Sequence, residues 1–202
     1  MLLHAYAKIN WALDTVGLRD DGYHLLDTIM QSISLHDDIT IEPDSRLFLS
    51  VADAPHVPCD ESNLILRAAE ALRRHTGTAA GARITLRKRI PVGAGLGGGS
   101  TDAAAVLRAL NDMWGLGLPE ETLYEIGLSL GADVPFCLHG GLCRAQGIGE
   151  ILTPFAAKKA VAADPHPAVP RTVHKAGLRR IVRRGQYAPS RYRKFNPRTA
   201  GG

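Results

Sequence analysis

Apolar and polar residues alternate from Ala82 to Ile90 (Ala-Arg-Ile-Thr-Leu-Arg-Lys-Arg-Ile), which is the period of a half-buried strand. The same pattern predicts strands near 3–16, 27–35, 38–43 and 46–52. Helical spacing takes over at Asn63–His75: Leu64, Leu66, Ala68, Ala69, Ala71 and Leu72 make an apolar side, Arg67, Arg73 and Arg74 a wet one. A second helix is predicted over Ala103–Trp114. A third opens at Pro119-Glu120-Glu121, a proline with acids over the first turn, and runs to Leu130, with Gly131 as its stop. From Val134 to Leu152, short apolar runs alternate with glycines and read as further strands. Strands and helices mixed without strict alternation predict an α+β fold, a mixed sheet with packed helices, for residues 1–155.

Charge divides the chain at the same place. Residues 1–155 carry 12 Lys and Arg against 19 Asp and Glu, and residues 156–202 carry 12 against Asp164 alone. The net charge of +4 therefore combines an acidic part with a strongly basic one. The basic part holds Pro165, Pro167, Pro170, Pro189 and Pro197 and shows no apolar period. It is expected to be a disordered tail, because it cannot bury enough apolar surface to offset its ordering entropy. Such a tail invites nonspecific contact with nucleic acid. No run of eighteen apolar residues exists and the N-terminus lacks a signal peptide's apolar stretch, so no membrane partner is expected. Cys59, Cys137 and Cys143 are unevenly spaced, read as buried, strand-associated thiols rather than metal ligands, and fit a reducing cytoplasm.

The chemistry concentrates in Pro91-Val92-Gly93-Ala94-Gly95-Leu96-Gly97-Gly98-Gly99-Ser100-Thr101, between a predicted strand and a predicted helix. Glycines there permit positive φ and close approach of a bulky ligand, and the amides that open the helix make an anion site. The segment is a phosphate cradle. It is no P-loop, because no lysine precedes Ser100. Gly93, Gly95 and Gly98 satisfy the dinucleotide spacing, but about ninety strand-rich residues come first, and no acidic residue ends a second strand some twenty positions on. Asp102 is placed to cap the helix or to sit near a cation.

Three other segments read modestly by themselves. Asp133, between Gly131-Ala132 and Val134-Pro135, is by default a cap or turn aspartate. Lys8 and Asn10 occupy the polar side of a first strand and are expected in solvent. Tyr23 and His24 follow an Asp-Gly turn, at what reads as a hairpin tip.

Together, Ala7-Lys8-Ile9-Asn10, Arg19-x-Asp21-Gly22-Tyr23-His24, Pro91–Thr101 and Leu130–Pro135 resemble the GHMP kinases, named for galactokinase, homoserine kinase, mevalonate kinase and phosphomevalonate kinase. Gly147–Leu152 also looks familial. Within the family the resemblance is to members acting on a cytidine-diphosphate methylerythritol, and it covers residues 1–155. It implies ATP-dependent phosphorylation of the substrate's 2-hydroxyl, a step of non-mevalonate isoprenoid precursor synthesis. By the same resemblance Asp133 is the catalytic base and Lys8 its cationic partner. Asn10 contacts the erythritol portion, Tyr23 and His24 hold the cytosine, and Pro91–Thr101 wrap the ATP phosphates. Mg²⁺ is expected from the chemistry, held largely by phosphate oxygens and water, with Ser100 as a protein ligand.

The tail departs from the family. Gln186–Arg191 resembles the stretch before a second glycine-rich motif, yet Tyr192-Arg193-Lys194 follows in place of that motif. The expectation is an N-terminal domain whose C-terminal partner is largely missing, with a tail like that left by a frame disruption, and activity impaired accordingly. The alternative expectation is an inactive nucleotide-binding remnant, or an interaction protein whose basic tail contacts a polyanion.

Overall fold

The computed structural model describes residues 1–18, 20 and 22–155. The expected tail over 156–202, with its stretch Gln186–Arg191, lies outside the described residues, as do Arg19 and Asp21. The elements run β1 (Leu2–Leu18), β2 (His24–Asp44), β3 (Leu47–Ala52), α1 (Leu64–Thr76), β4 (Gly81–Arg87), α2 (Gly98–Met113), α3 (Glu120–Leu130), α4 (Val134–His139), β5 (Leu142–Gly147) and β6 (Ile151–Pro154). The α+β class expected from the sequence is the class observed.

β2 organises the sheet. It pairs antiparallel with β1 along nearly its whole length, with β4 through Asp38–Asp44, and with β5 through Leu26–Gln31. β3 lies parallel to β4 beyond it, joined by α1, and β6 flanks β5. The helices pack on one face. Ile39, Ile41, Ile84 and Leu86 from the sheet meet Ile65, Ala68 and Leu72 of α1 and Val106, Leu107 and Leu110 of α2, all nearly or fully inaccessible to solvent. Alanines at 68, 69, 103 and 104 let α1 and α2 approach closely. Asn63 caps α1, its side chain accepting from the Ile65 amide at 2.9 Å, and Gly77 closes it in the left-handed conformation.

Four sequence expectations are corrected. First, the predicted strands 27–35 and 38–43 are one strand, because the charged run His36-Asp37-Asp38 continues the ladder instead of turning. Asp37 is fully buried, and its Oδ1 accepts from the Arg89 and Ile90 amides at 2.5 and 2.8 Å. Second, Val134–His139 is a helix and not a strand. Pro135 in its first turn is suited to helix initiation, and Val134, Phe136 and Leu138 bury against neighbouring elements. Third, α2 begins at Gly98, five residues earlier than predicted, because the last glycines of the loop already form its first turn. Fourth, Cys59 is exposed and Cys137 is helical; Cys143 alone is the buried strand thiol expected.

α3 and α4 touch at Gly127, where an added Cβ would lie 2.9 Å from Val134 Cγ1 and 3.1 Å from Leu138 Cδ1. Gly127→Ala is therefore expected to destabilise the domain by about 1–3 kcal/mol through overpacking. Val134→Ala in the same chain should recover part of the loss. Denaturant midpoints of the single and double variants check this.

Candidate active site

The glycine segment adopts the conformation its composition calls for. Gly93, Gly95 and Gly97 have φ of 73°, 73° and 70°, and Gly97 is the left-handed N-cap of α2. No side chain caps α2, so its opening amides are not consumed by a capping group and face the cradle. The loop lies directly on β1. The Lys8 amide donates to the Leu96 carbonyl at 3.0 Å, and a Cβ at Gly97 would sit 2.9 Å from Lys8 Cγ. Thr101 supplies a strut rather than a ligand, since its hydroxyl donates to the Tyr6 carbonyl at 2.7 Å. Ser100, half-buried in the first turn of α2, is the hydroxyl of the pair not committed in this way.

Lys8 was expected in solvent, yet only 7% of it is exposed. The cause is a register shift in the β1–β2 ladder between Tyr6 and Lys8, which breaks the strict alternation and turns Lys8 toward the loop. Its Nζ lies 3.1 Å from Asp133 Oδ2 and donates to Asn10 Oδ1 at 3.0 Å. Asn10 is oriented in turn: its Nδ2 donates to Thr28 Oγ1 at 2.8 Å, and the Thr28 hydroxyl donates to the Ala12 carbonyl at 2.7 Å. Asp133 occupies the N-cap position of α4 but makes no capping hydrogen bond; its carboxylate is turned to Lys8 instead. With 38% of its side chain exposed, it presents a carboxylate to solvent beside a held ammonium.

Beneath the loop lies a second charged group, of which the sequence singled out Asp102 alone. Lys88 Nζ is 2.8 Å from Asp102 Oδ2 and 2.5 Å from Asp37 Oδ2, and all three side chains are almost fully buried. Asp102 thus sits near a cation, one of its two expected roles. Two carboxylates share one ammonium, and Asp102 Oδ1 has no hydrogen-bond partner among the described residues. Burial pushes the Asp102 carboxyl up to about 7, against the pull of Lys88. The two carboxylates hold the Lys88 ammonium above its ordinary value despite its burial. The sequence held a signal for it: Lys88 takes an inward position of the alternation Ala82, Ile84, Leu86, Ile90, although it sits between Arg87 and Arg89.

Tyr23 and His24 are exposed and stand apart from this cluster. His24 pairs with Leu18, whereas Lys8 pairs with Ser32, eight residues along β2 and at most about 26 Å away at strand spacing. The structure therefore brings together Lys8, Asn10, Asp133 and the glycine loop, with Tyr23 and His24 at the far end of the same ladder. The donor set fits a polyphosphate: left-handed glycines, helix-opening amides and an ammonium on one side, with a carboxylate opposite. It offers Mg²⁺ few carboxylates, because Asp102 is spent on Lys88, which fits an ion held chiefly by phosphate oxygens and water. No helix among the described residues is long and apolar enough to cross a membrane.

The chain also matches known proteins. Residues 63–141 match the family described as GHMP kinases N terminal domain. The chain is 50% identical over 161 residues to a 4-diphosphocytidyl-2-C-methyl-D-erythritol kinase of Alkaliphilus metalliredigens, covering 79% of this chain and 55% of that protein. It is 52% identical over 150 residues to the enzyme of the same name from Carboxydothermus hydrogenoformans, covering 74% and 52%. A crystal structure of 4-(cytidine 5'-diphospho)-2C-methyl-D-erythritol kinase superposes with a TM-score of 0.66 at 42% identity, over 77% of this chain and 55% of that one. The mevalonate kinase of Methanococcus jannaschii, 14% identical, shares the fold with a TM-score of 0.61. The chain spans about half the length of the curated relatives it matches.

Two outcomes are expected. Gly97→Val should weaken binding of ATP much more than binding of a cytidine diphosphate, because it strains a left-handed position and drives a branched side chain into Lys8. Titration of both nucleotides against the variant checks this. Asp102 makes folding pH-dependent, since the folded chain keeps a proton there that the unfolded chain has lost between about pH 4 and 7. Its contribution is full below that window and lost as pH rises through 7. Asp102→Asn should flatten the fall in urea midpoint between pH 5 and pH 8.

Proposed function

We propose that the chain, whose residues 63–141 match the GHMP kinases N terminal domain, serves phosphoryl transfer from ATP to the 2-hydroxyl of 4-diphosphocytidyl-2-C-methyl-D-erythritol. The observation that carries the reading is the contact of Lys8 with Asp133 against the glycine loop, because it sets a cation and a proton acceptor beside a phosphate cradle. The identity of about 50% to relatives bearing that enzyme's name supports the choice of acceptor.

Each residue then has a definite task. The loop Pro91-Val92-Gly93-Ala94-Gly95-Leu96-Gly97, with Gly98, Gly99 and Ser100 at the start of α2, receives the triphosphate through backbone amides. Thr101 holds the loop to β1. Asn10, with its amide orientation fixed by Thr28, contacts the methylerythritol hydroxyls and keeps Lys8 in place. The acceptor oxygen attacks the γ-phosphorus as the bond to the β-phosphate oxygen breaks, and the acceptor proton passes to Asp133. Such a transition state is loose, so alignment and charge neutralisation matter more than early proton removal. A carboxylate held by a neighbouring ammonium suits late proton acceptance. Lys8 Nζ, with two of its three protons directed at Asp133 and Asn10, has the third for an oxygen of the transferring group. Mg²⁺ bound with ATP would neutralise phosphate charge, and Ser100 would offer it a hydroxyl. Tyr23 and His24 provide an aromatic face and an imidazole for the cytosine, at the far end of the β1–β2 ladder from Lys8.

The test is phosphoryl transfer by the full chain with ATP and the cytidine-diphosphate methylerythritol. Product phosphorylated at the 2-hydroxyl is expected. Asp133→Asn should lower its rate by about 10²–10⁴-fold while leaving ATP affinity within about twofold. Retention of a tenth or more of the rate would remove Asp133 from the mechanism. Absence of product with this acceptor, alongside intact ATP binding, would overturn the substrate assignment.

A further inference from the structure

A third polar cluster lies outside the site just described. His4 and Asp38 are directly paired across β1 and β2, and so are Tyr6 and His36 two residues along. Side chains alternate along a strand, so His4, His36 and Asp38 project on one face, opposite the buried Asp37. His4 Nδ1 lies 3.0 Å from Asp38 Oδ1, and His36 Nε2 lies 3.4 Å from the same oxygen. The imidazole rings are 4.4 Å apart, and each meets the Tyr6 ring at a steep angle.

We propose that His4, His36 and Asp38 form a binding site for a borderline divalent transition-metal ion, of which Zn²⁺ is the natural probe. Three features carry this. The first is spacing: the three ligand atoms lie within 4.8 Å of one another. Tetrahedral zinc with bonds of about 2.0–2.1 Å sets its ligands about 3.3–3.4 Å apart, and the two distances measured from Asp38 Oδ1 lie close to that. The second is tautomer. The His36 Nδ1 hydrogen donates to the Ser34 carbonyl at 2.8 Å, a group that can only accept. That bond occupies Nδ1, so Nε2 is the nitrogen turned to the Asp38 carboxylate, where a metal ion can replace the Nε2 proton between them. A backbone carbonyl on the far nitrogen is also the usual partner of a metal-bound imidazole. The third is division of labour within the carboxylate. Asp38 gives Oδ2 to Arg89 Nη2 at 2.5 Å and keeps Oδ1 for the two histidines, so the guanidinium does not occupy the metal position.

Two imidazoles and one carboxylate favour zinc, copper or nickel over magnesium or calcium. His4 is the most exposed of the three, at 41% of its side chain, which leaves the fourth position open to water. The ion would tie the start of β1 to β2, one residue from the Asp37 that receives the Arg89 and Ile90 amides at the base of the glycine loop.

Titration of the full chain with Zn²⁺ alone against a metallochromic competitor is the direct test, with resonances of the histidine rings followed in parallel. One equivalent should bind in the micromolar range or tighter and shift the ring signals of His4 and His36. His36→Gln and His4→Gln are half-exposed or exposed replacements that keep the fold, verified by circular dichroism, and each should weaken binding at least tenfold. Cys59→Ser, which removes the exposed thiol, should leave it unchanged. Arg89→Met frees Asp38 Oδ2 and lifts a nearby positive charge, so it should tighten binding severalfold. Binding that survives either histidine replacement within twofold, or that disappears with Cys59, would overturn the site. The outcome does not depend on whether the chain transfers phosphate.

Discussion

Lys88 and Asp102 stand at the two ends of the glycine segment, and the ion pair between them closes it into a ring. Everything between them is rich in glycine and poor in side chains that could anchor it, so its shape depends on those two ends being held together. Asp37 holds the same ammonium from β2 and receives the amides of Arg89 and Ile90, which fastens the loop's entry to the centre of the sheet. Burying three charged groups costs solvation that a hydrophobic trio of equal volume would not. Removing one member of such a set commonly costs about 3–5 kcal/mol, because it strands the others. The arrangement exchanges stability for a defined loop geometry directly below the place where phosphates would lie.

The cluster of Lys8, Asn10 and Asp133 depends on this base indirectly. Lys8 packs its aliphatic stem against Gly97, and its amide bonds to Leu96, so the loop forms one wall of the slot that contains the ammonium. α4 brings the other wall, with Asp133 at its first turn. Position is achieved here with backbone and buried aliphatic surface, and the polar side chains only finish it.

Much of this was legible in the sequence and some was not, for local physical reasons. α1 carries a strong apolar period with caps at both ends, α3 is marked by its proline-and-acid opening and Gly131, and the glycine segment announces itself by composition. Lys8, Asn10 and Asp133 were found through resemblance, because their own surroundings argued otherwise. A single register shift places Lys8 inside where alternation predicts water, and Asp133 reads as a capping residue that then does not cap. α4 is too short to show a period, and its proline hides the helix it helps to begin. β2 was divided in two because three polar residues in succession resemble a turn; Asp37 accepts backbone hydrogen bonds that only the folded sheet supplies. The alternation of Ala82, Ile84, Leu86 and Ile90 puts Lys88 on the inward face, but its partners come from β2 and α2 and no local pattern names them.

The length of β2 has a consequence for the order of assembly. Its residues 26–31 are paired on one edge by β1, which adjoins it in sequence, and on the other by β5, which arrives more than a hundred residues later. A chain emerging N-terminus first forms the β1–β2 ribbon early and holds half of one β2 edge open until Leu142–Gly147 appear. That edge includes Leu26, Ile29 and Met30, apolar residues on a segment able to template another strand. Asp27 sits within it and closes with Arg144 when β5 docks. Until then Asp27 is the one charged residue on that open segment, and a charge there opposes strand addition.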